Sequence, residues 1–165
     1  MYKVLICGAG SIGNHMCFAC RRKNWHVEIY DIDPAALRRT REETYPSRYG
    51  AWDEEIILSD QLNLSNNYDL VILGTPPDSH VRLAIDVLSD HPPKVLLVEK
   101  PFCTPDFDRC EELLKLVSAS NTHLVVGYNH IFTKNTYRAK ELIAQDCIGT
   151  PLSIHVRWLE HWGGI

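Results

Sequence analysis

The chain has 165 residues, 45% of them hydrophobic and 23% charged, with a formal net charge of −4. That is the balance of an ordinary globular chain able to bury a core, and it offers no basic footprint for nucleic acid or anionic lipid. No apolar run approaches the ~18–20 residues that cross a bilayer, and the N-terminus enters a strand at once, so neither a membrane span nor a secretory leader is expected.

Val4, Leu5, Ile6 and Cys7 form an apolar run that predicts a strand buried on both faces. Gly8, Gly10 and Gly13 follow with the spacing G-x-G-x-x-G. Gly8 permits a tight turn out of the strand, Gly10 lets a pyrophosphate approach the backbone, and Gly13 lets the next helix pack close to the sheet. Ser11 and Ile12 open that helix, predicted over 12–23, so their N–H groups and the positive end of its dipole face the phosphates. The run HVEIY, His26–Tyr30, is a second strand, and Asp31 at its end follows Gly8 by 23 positions. A carboxylate at an offset of ~20 residues binds the adenosine ribose hydroxyls of a dinucleotide. Asp33 and Pro34 suit the cap and first position of the next helix, which frees Asp31 for the ribose.

Cys17 and Cys20 make a C-x-x-C pair inside the first helix. With no second pair to complete a zinc site, core packing is the expected reading and no metal is assigned. All six cysteines, the other four being Cys7, Cys103, Cys110 and Cys147, are expected to be reduced and mostly buried, as in a cytoplasmic protein.

A second helix is predicted over 35–44, with Arg38, Arg39 and Arg41 on a solvated face. A short edge strand over 49–52 and a helical turn over 53–58 are expected next. Residues 68–74 form another doubly buried strand, which the prolines of Thr75-Pro76-Pro77 stop. Asp78 or Ser79 can cap the helix after it, predicted over 80–88, and His80 by position alone reads as an exposed first-turn histidine. The strand over 94–98 ends on Glu99, Lys100 and Pro101. A lysine there can hydrogen-bond a substrate hydroxyl, with Glu99 holding its orientation. A helix from Thr104-Pro105 to about residue 118, a strand over 123–127 and a helix over 134–145 follow. Residues 152–159 alternate apolar and polar and predict a half-buried strand. The β-α-β-α succession predicts a doubly wound parallel sheet.

These motifs together resemble the N-terminal domain of the glucose–fructose oxidoreductase, inositol dehydrogenase and MocA (Gfo/Idh/MocA) family. The resemblance rests on GAGSIG at 8–13, Asp31, GTPPDSH at 74–80, VEKP at 98–101, VGYNHIF at 126–132 and IGTPLSI at 148–154. It implies a Rossmann-type α/β fold and NAD(P)-dependent oxidation or reduction at a hydroxyl or carbonyl carbon of a sugar-like or cyclitol substrate. It implies a dinucleotide-binding domain over 1–127, a connecting helix and linker over 128–150, and the first strand of a second, truncated α/β domain over 151–165. That second domain would supply a histidine acting as acid/base; His155 and His161 precede its place and take no role. Many relatives carry an arginine near the position of Ile131.

Lys100 is the catalytic candidate. The cofactor candidates are Gly8, Gly10, Ser11, Ile12, Gly13, Asp31, Ile32, Thr75, Pro76, Pro77, His80, Glu99, Lys100 and Asn129. NAD is expected over NADP because the Asp31 carboxylate repels a 2′-phosphate. A lone strand over 152–159, with Trp158 and Trp162 beside it, is expected to recruit a second copy of the chain. The alternative is a free-standing NAD-binding or oligomerising module without chemistry. A methyltransferase shares the glycine turn and the ribose acid but leaves Glu99-Lys100-Pro101 unexplained.

Overall fold

A computed structural model describes residues 1–157 in two compact units, Met1–Gly127 and a second that begins at Tyr128. The first unit carries six parallel strands: β1 (Lys3–Cys7), β2 (His26–Tyr30), β3 (Ile56–Ser59), β4 (Leu70–Leu73), β5 (Val95–Val98) and β6 (His123–Val126). Their order in the sheet is β3-β2-β1-β4-β5-β6. Val4 of β1 faces Val27 of β2 on one side and Leu70 of β4 on the other. The chain therefore winds outward twice from β1, once in each direction, and the reversal of strand order at β1 and β4 opens a crevice at the C-terminal ends of the strands.

Helices cover both faces, because strands this apolar have two faces to bury. On one side α1 (Ser11–Arg21), α2 (Pro34–Arg39) and α3 (Tyr45–Tyr49) pack on Val4, Ile6, Val27, Ile29 and Ile72. On the other, α4 (Pro77–Asp90) and α5 (Cys110–Ala119) pack on Leu5, Cys7, Val71, Leu73, Leu96 and Val98. Cys17 and Cys20 belong to the first of these cores. Burial pushes the Cys17 thiol up to about 12 and that of Cys20 to about 11, so both stay protonated packing groups at neutral pH.

The chain between α2 and β3 departs from the sequence expectation. Residues 49–52 form no strand; α2 instead runs on through a π-helical stretch, Thr40–Thr44, into α3. Thr40 and Tyr45 are both buried five positions apart, a spacing that suits the wider π turn. Tyr45 and Tyr49 lie on one helical face and meet Phe18 of α1, with rings 6.3 Å and 4.2 Å from it. Of the expected helical turn over 53–58, Glu54 and Glu55 do form a turn, but Ile56, Ile57 and Leu58 belong to β3 and pair with β2. β-branched residues fit that edge position better than a helix.

Two helix starts also differ. Pro76 is the N-cap of α4 and Pro77 its first residue, earlier than Asp78 or Ser79. Pro77 lacks the N–H that this position leaves orphaned anyway. α5 begins at Cys110 rather than Thr104. Thr104 bonds the Asp106 side chain, and Phe107 and Arg109 take left-handed backbone angles of φ 57° and 55°, which no helix continues through.

In the second unit a 3₁₀ turn, Asn129–Phe132, precedes α6 (Lys134–Ala144). Thr133 caps α6 by accepting the Thr136 N–H. Residues 152–157 hold no strand, against expectation, and Leu152, Ile154 and Val156 are exposed. A strand exists only as a paired ladder, and among the described residues none pairs with this segment. Trp158, Leu159, His161 and Trp162 lie outside the described residues.

Candidate functional site

The parallel ladder carries each strand to the same edge. Gly8 N–H donates to Tyr30 O, Gly74 N–H to Cys7 O, Glu99 N–H to Leu73 O and Gly127 N–H to Val98 O, at 2.7–2.9 Å. Where the strand order reverses, at β1 and β4, this edge opens into a cleft of about 540 Å³, lined by Gly8, Gly10, Tyr30, Asp31, Ile32, Gly74, Thr75 and Pro76 with α4 residues Asp78, Ser79, Arg82 and Leu83.

Gly8 sits at φ 107°, and a Cβ there would lie 2.8 Å from the Gly74 carbonyl oxygen. Only glycine combines that backbone angle with so close an approach of β1 and β4. Gly10 is the opposite case: a Cβ on it would meet nothing within 4 Å. Its missing side chain leaves open space above the turn. Gly10 is the N-cap of α1, which has no side-chain cap and no acidic residue in its first turn. The N–H groups of Ser11, Ile12 and Gly13 thus begin a helix with its positive end bare, as a bound anion requires.

The Ala9 peptide between these glycines is held on both sides. Its N–H donates to Asp31 Oδ2 at 2.7 Å, and Asp31 Oδ1 accepts from Asp33 N–H at 2.9 Å. Its carbonyl accepts from Thr40 Oγ1 at 2.8 Å and Asn14 Nδ2 at 3.0 Å, and Asn14 Nδ2 also reaches Thr40 Oγ1. Asn14 and Thr40 are fully buried. Sequence reasoning missed both; the one available signal was a polar Asn14 on the buried face of α1. As expected, Asp33 caps α2 by accepting the Ala35 N–H, leaving Asp31 to the turn and the cleft.

His80 is not the exposed histidine its position suggests, nor does it line the cleft. It is 1% exposed, behind the wall. Its Nε2 lies 2.7 Å from Thr75 O and its Nδ1 3.0 Å from Pro101 O. The ring therefore ties the loop after β4 to the loop after β5. Pro77 is the first residue of α4.

Glu99 and Lys100 do not form the expected side-chain pair. The Glu99 carboxylate turns back under Gly127, where a Cβ would come within 2.6 Å of Oε1. Among the described residues its Oε2 accepts only the Lys100 backbone N–H, at 3.3 Å. Buried Glu99 thus shapes the loop, while the exposed Lys100 side chain stays free of it. The Lys100–Pro101 bond is cis. Asn129 belongs to the second unit, at the start of its 3₁₀ turn.

Gly10's open space, the bare N-terminus of α1, and Asp31 on the same cleft fit the phosphates and ribose of a dinucleotide. Among the described residues there is no cluster of His, Cys, Asp or Glu that would hold a metal. No helix among them is long and apolar enough to cross a membrane.

Residues 2–128 match the family described as Oxidoreductase family, NAD-binding Rossmann fold (GFO_IDH_MocA). An uncharacterized oxidoreductase of Schizosaccharomyces pombe is 30% identical over 126 residues, 75% of this chain and 32% of that protein. Among solved structures, myo-inositol dehydrogenase from Lactobacillus casei, in complex with NAD(H) and myo-inositol, superposes with a TM-score of 0.71 at 19% identity, over 92% of this chain and 44% of its own. A super-repressor mutant of Gal80p from Saccharomyces cerevisiae superposes with a TM-score of 0.67 at 19% identity, over 90% and 40%. The chain thus spans about a third of that curated relative and less than half of each solved chain.

Proposed function

The chain belongs to the Gfo/Idh/MocA oxidoreductase family, and from that premise we propose that it is the cofactor-binding part of a dehydrogenase acting on a hydroxyl or carbonyl carbon of a sugar-like or cyclitol substrate. The observation that carries the reading is the convergence of the glycine turn, Asp31 and Thr75-Pro76 on one cleft at the point where the strand order reverses. The inositol dehydrogenase neighbour, with its bound NAD(H) and myo-inositol, supports the substrate class.

In this reading the first turn of α1 holds the pyrophosphate and Asp31 the adenosine ribose. Asp31 keeps lone pairs free on both oxygens after bonding Ala9 and Asp33. A 2′-phosphate would meet that carboxylate, so NAD(H) is the preferred cofactor. When bound, the nicotinamide supplies hydride chemistry. Lys100, exposed at the end of β5, hydrogen-bonds the substrate oxygen and stabilises charge developing on it. Thr75, Pro76, Ile32 and the loop that His80 braces position the cofactor. Substrate contacts and the acid/base partner come from residues beyond this part, in a cytoplasmic protein that associates through its C-terminal segment. The exposed Leu152, Ile154 and Val156 support that pairing, which sedimentation with and without residues 152–165 tests.

The super-repressor Gal80p, which shares this fold, gives weight to a second reading, an NAD-binding module without chemistry. A protein containing this chain in its full reading frame, assayed with NAD and a panel of polyols and sugars, separates the two. Turnover that Lys100→Ala abolishes, with cofactor affinity kept, supports the dehydrogenase. NAD binding with no turnover on any substrate supports the module.

A further inference from the structure

Arg48 is the last basic residue of α3, and its side chain crosses to the start of α1. Its Nη1 donates to Ser11 Oγ at 2.8 Å and approaches the Ser11 carbonyl at 3.4 Å. The reach is built into the packing. Tyr49, the next residue, stacks on Phe18 with planes 10° apart, and its hydroxyl bonds His15 Nδ1. α3 is thereby clamped along α1, and Arg48 is delivered to the first turn.

That is an unfavourable place for a cation. The N-terminus of a helix carries the positive end of its dipole and repels a guanidinium. Arg39 and Arg41, on the same stretch of chain, each lie against a carboxylate. Arg48 has none: among the described residues its only polar contacts are with Ser11, and the first turn of α1 is without acid. At least three of its five N–H groups remain for a further acceptor.

Resting on the dinucleotide reading above, we infer that Arg48, which stands outside the cleft lining but against Ser11, the neighbour of the lining residue Gly10, is a phosphate-contacting residue. Its guanidinium supplies a charge-assisted hydrogen bond to the pyrophosphate held at Ser11, so that α3 acts as an arm of the cofactor site. An anion there removes the repulsion between cation and dipole and satisfies both. The backbone N–H groups of the glycine turn are then only part of the phosphate grip, and the stretch after α2 has a binding role that the glycine motif does not announce.

Calorimetric titration with NADH of the unmodified chain, Arg48→Met and Arg48→Lys tests this, at low and at raised salt, with thermal melting of each variant. Arg48→Met is expected to bind about tenfold more weakly at low salt, as loss of one charged hydrogen bond implies. The gap should narrow as salt screens the charge, the melting temperature should stay unchanged, and Arg48→Lys should fall between the two. Binding by Arg48→Met equal to that of the unmodified chain, or a deficit that salt does not alter, overturns the inference and leaves the cofactor reading standing. An unmodified chain that does not bind NADH overturns both.

Discussion

The carboxylate of Asp31 accepts the backbone N–H of Ala9 at 2.7 Å, so the residue expected to hold the ribose also holds the glycine turn. One side chain thus couples the loop after β2 to the loop after β1, and it fixes the distance between the two places where a dinucleotide would be gripped. Replacing Asp31 therefore has two effects. Asp31→Ala leaves the Ala9 N–H without its acceptor and should cost about 1–3 kcal/mol of stability in chemical denaturation. Asp31→Asn keeps a hydrogen-bond acceptor for Ala9 and removes the charge, so it should narrow the preference for NADH over NADPH in calorimetry while changing stability less. Unmodified chain that binds NADPH as tightly as NADH would show that the carboxylate does not set the choice.

His80 predicts a different separation. Its two nitrogens meet the carbonyls of Thr75 and Pro101, and the ring itself is buried. His80→Phe fills the volume but removes the ring N–H that a loop carbonyl accepts, at about 1–3 kcal/mol. Thermal melting should drop clearly, and hydrogen exchange should quicken in the loops after β4 and β5. If Phe is tolerated without change in either, the ring is filler and not a brace.

The ion pair behind α1 sets an acid response. Arg21 donates to Asp53 Oδ2 at 2.7 Å and also bonds Glu55. The hydrogen bond from Arg21 holds the Asp53 carboxyl below its ordinary value of 3.8. A depressed carboxyl stabilises the fold above its unfolded value, and that contribution is lost as pH falls through the lower, folded value. The pair should therefore give constant stability from neutral pH down to the ordinary carboxylate range and lose it below. Asp53→Asn should cost about 1 kcal/mol at pH 7, since solvent reaches the pair, and should flatten the acid limb of a denaturation series below pH 4.

Much of this was legible in the sequence because the signals were local. Five of the six strands stand where their apolar runs placed them, and the glycine turn, Asp31 and the Asp33 cap followed from spacing. What escaped depends on distant partners. β3 is a strand because β2 offers it a ladder, and Ile56–Ser59 alone does not say so. The π stretch exists because Thr40 must reach the Ala9 carbonyl while Tyr45 reaches Phe18. His80 looked like a surface residue because the carbonyl that buries it, on Pro101, lies 21 positions away. The tail over 152–157 alternates as a strand does, but alternation shows only what a partner would cover, and a strand needs that partner.

The central claim is that the crevice between β1 and β4 binds a dinucleotide through the glycine turn. Titration of the chain with NADH beside Gly10→Val tests it most directly. A Cβ at Gly10 meets no protein atom within 4 Å, so the variant should fold and melt as the unmodified chain does. It should nonetheless bind NADH at least tenfold more weakly, because the added methyls occupy the space the pyrophosphate needs. Saturable binding to the unmodified chain, lost in a folded Gly10→Val, is the expected result; equal affinity in the two would place the cofactor elsewhere.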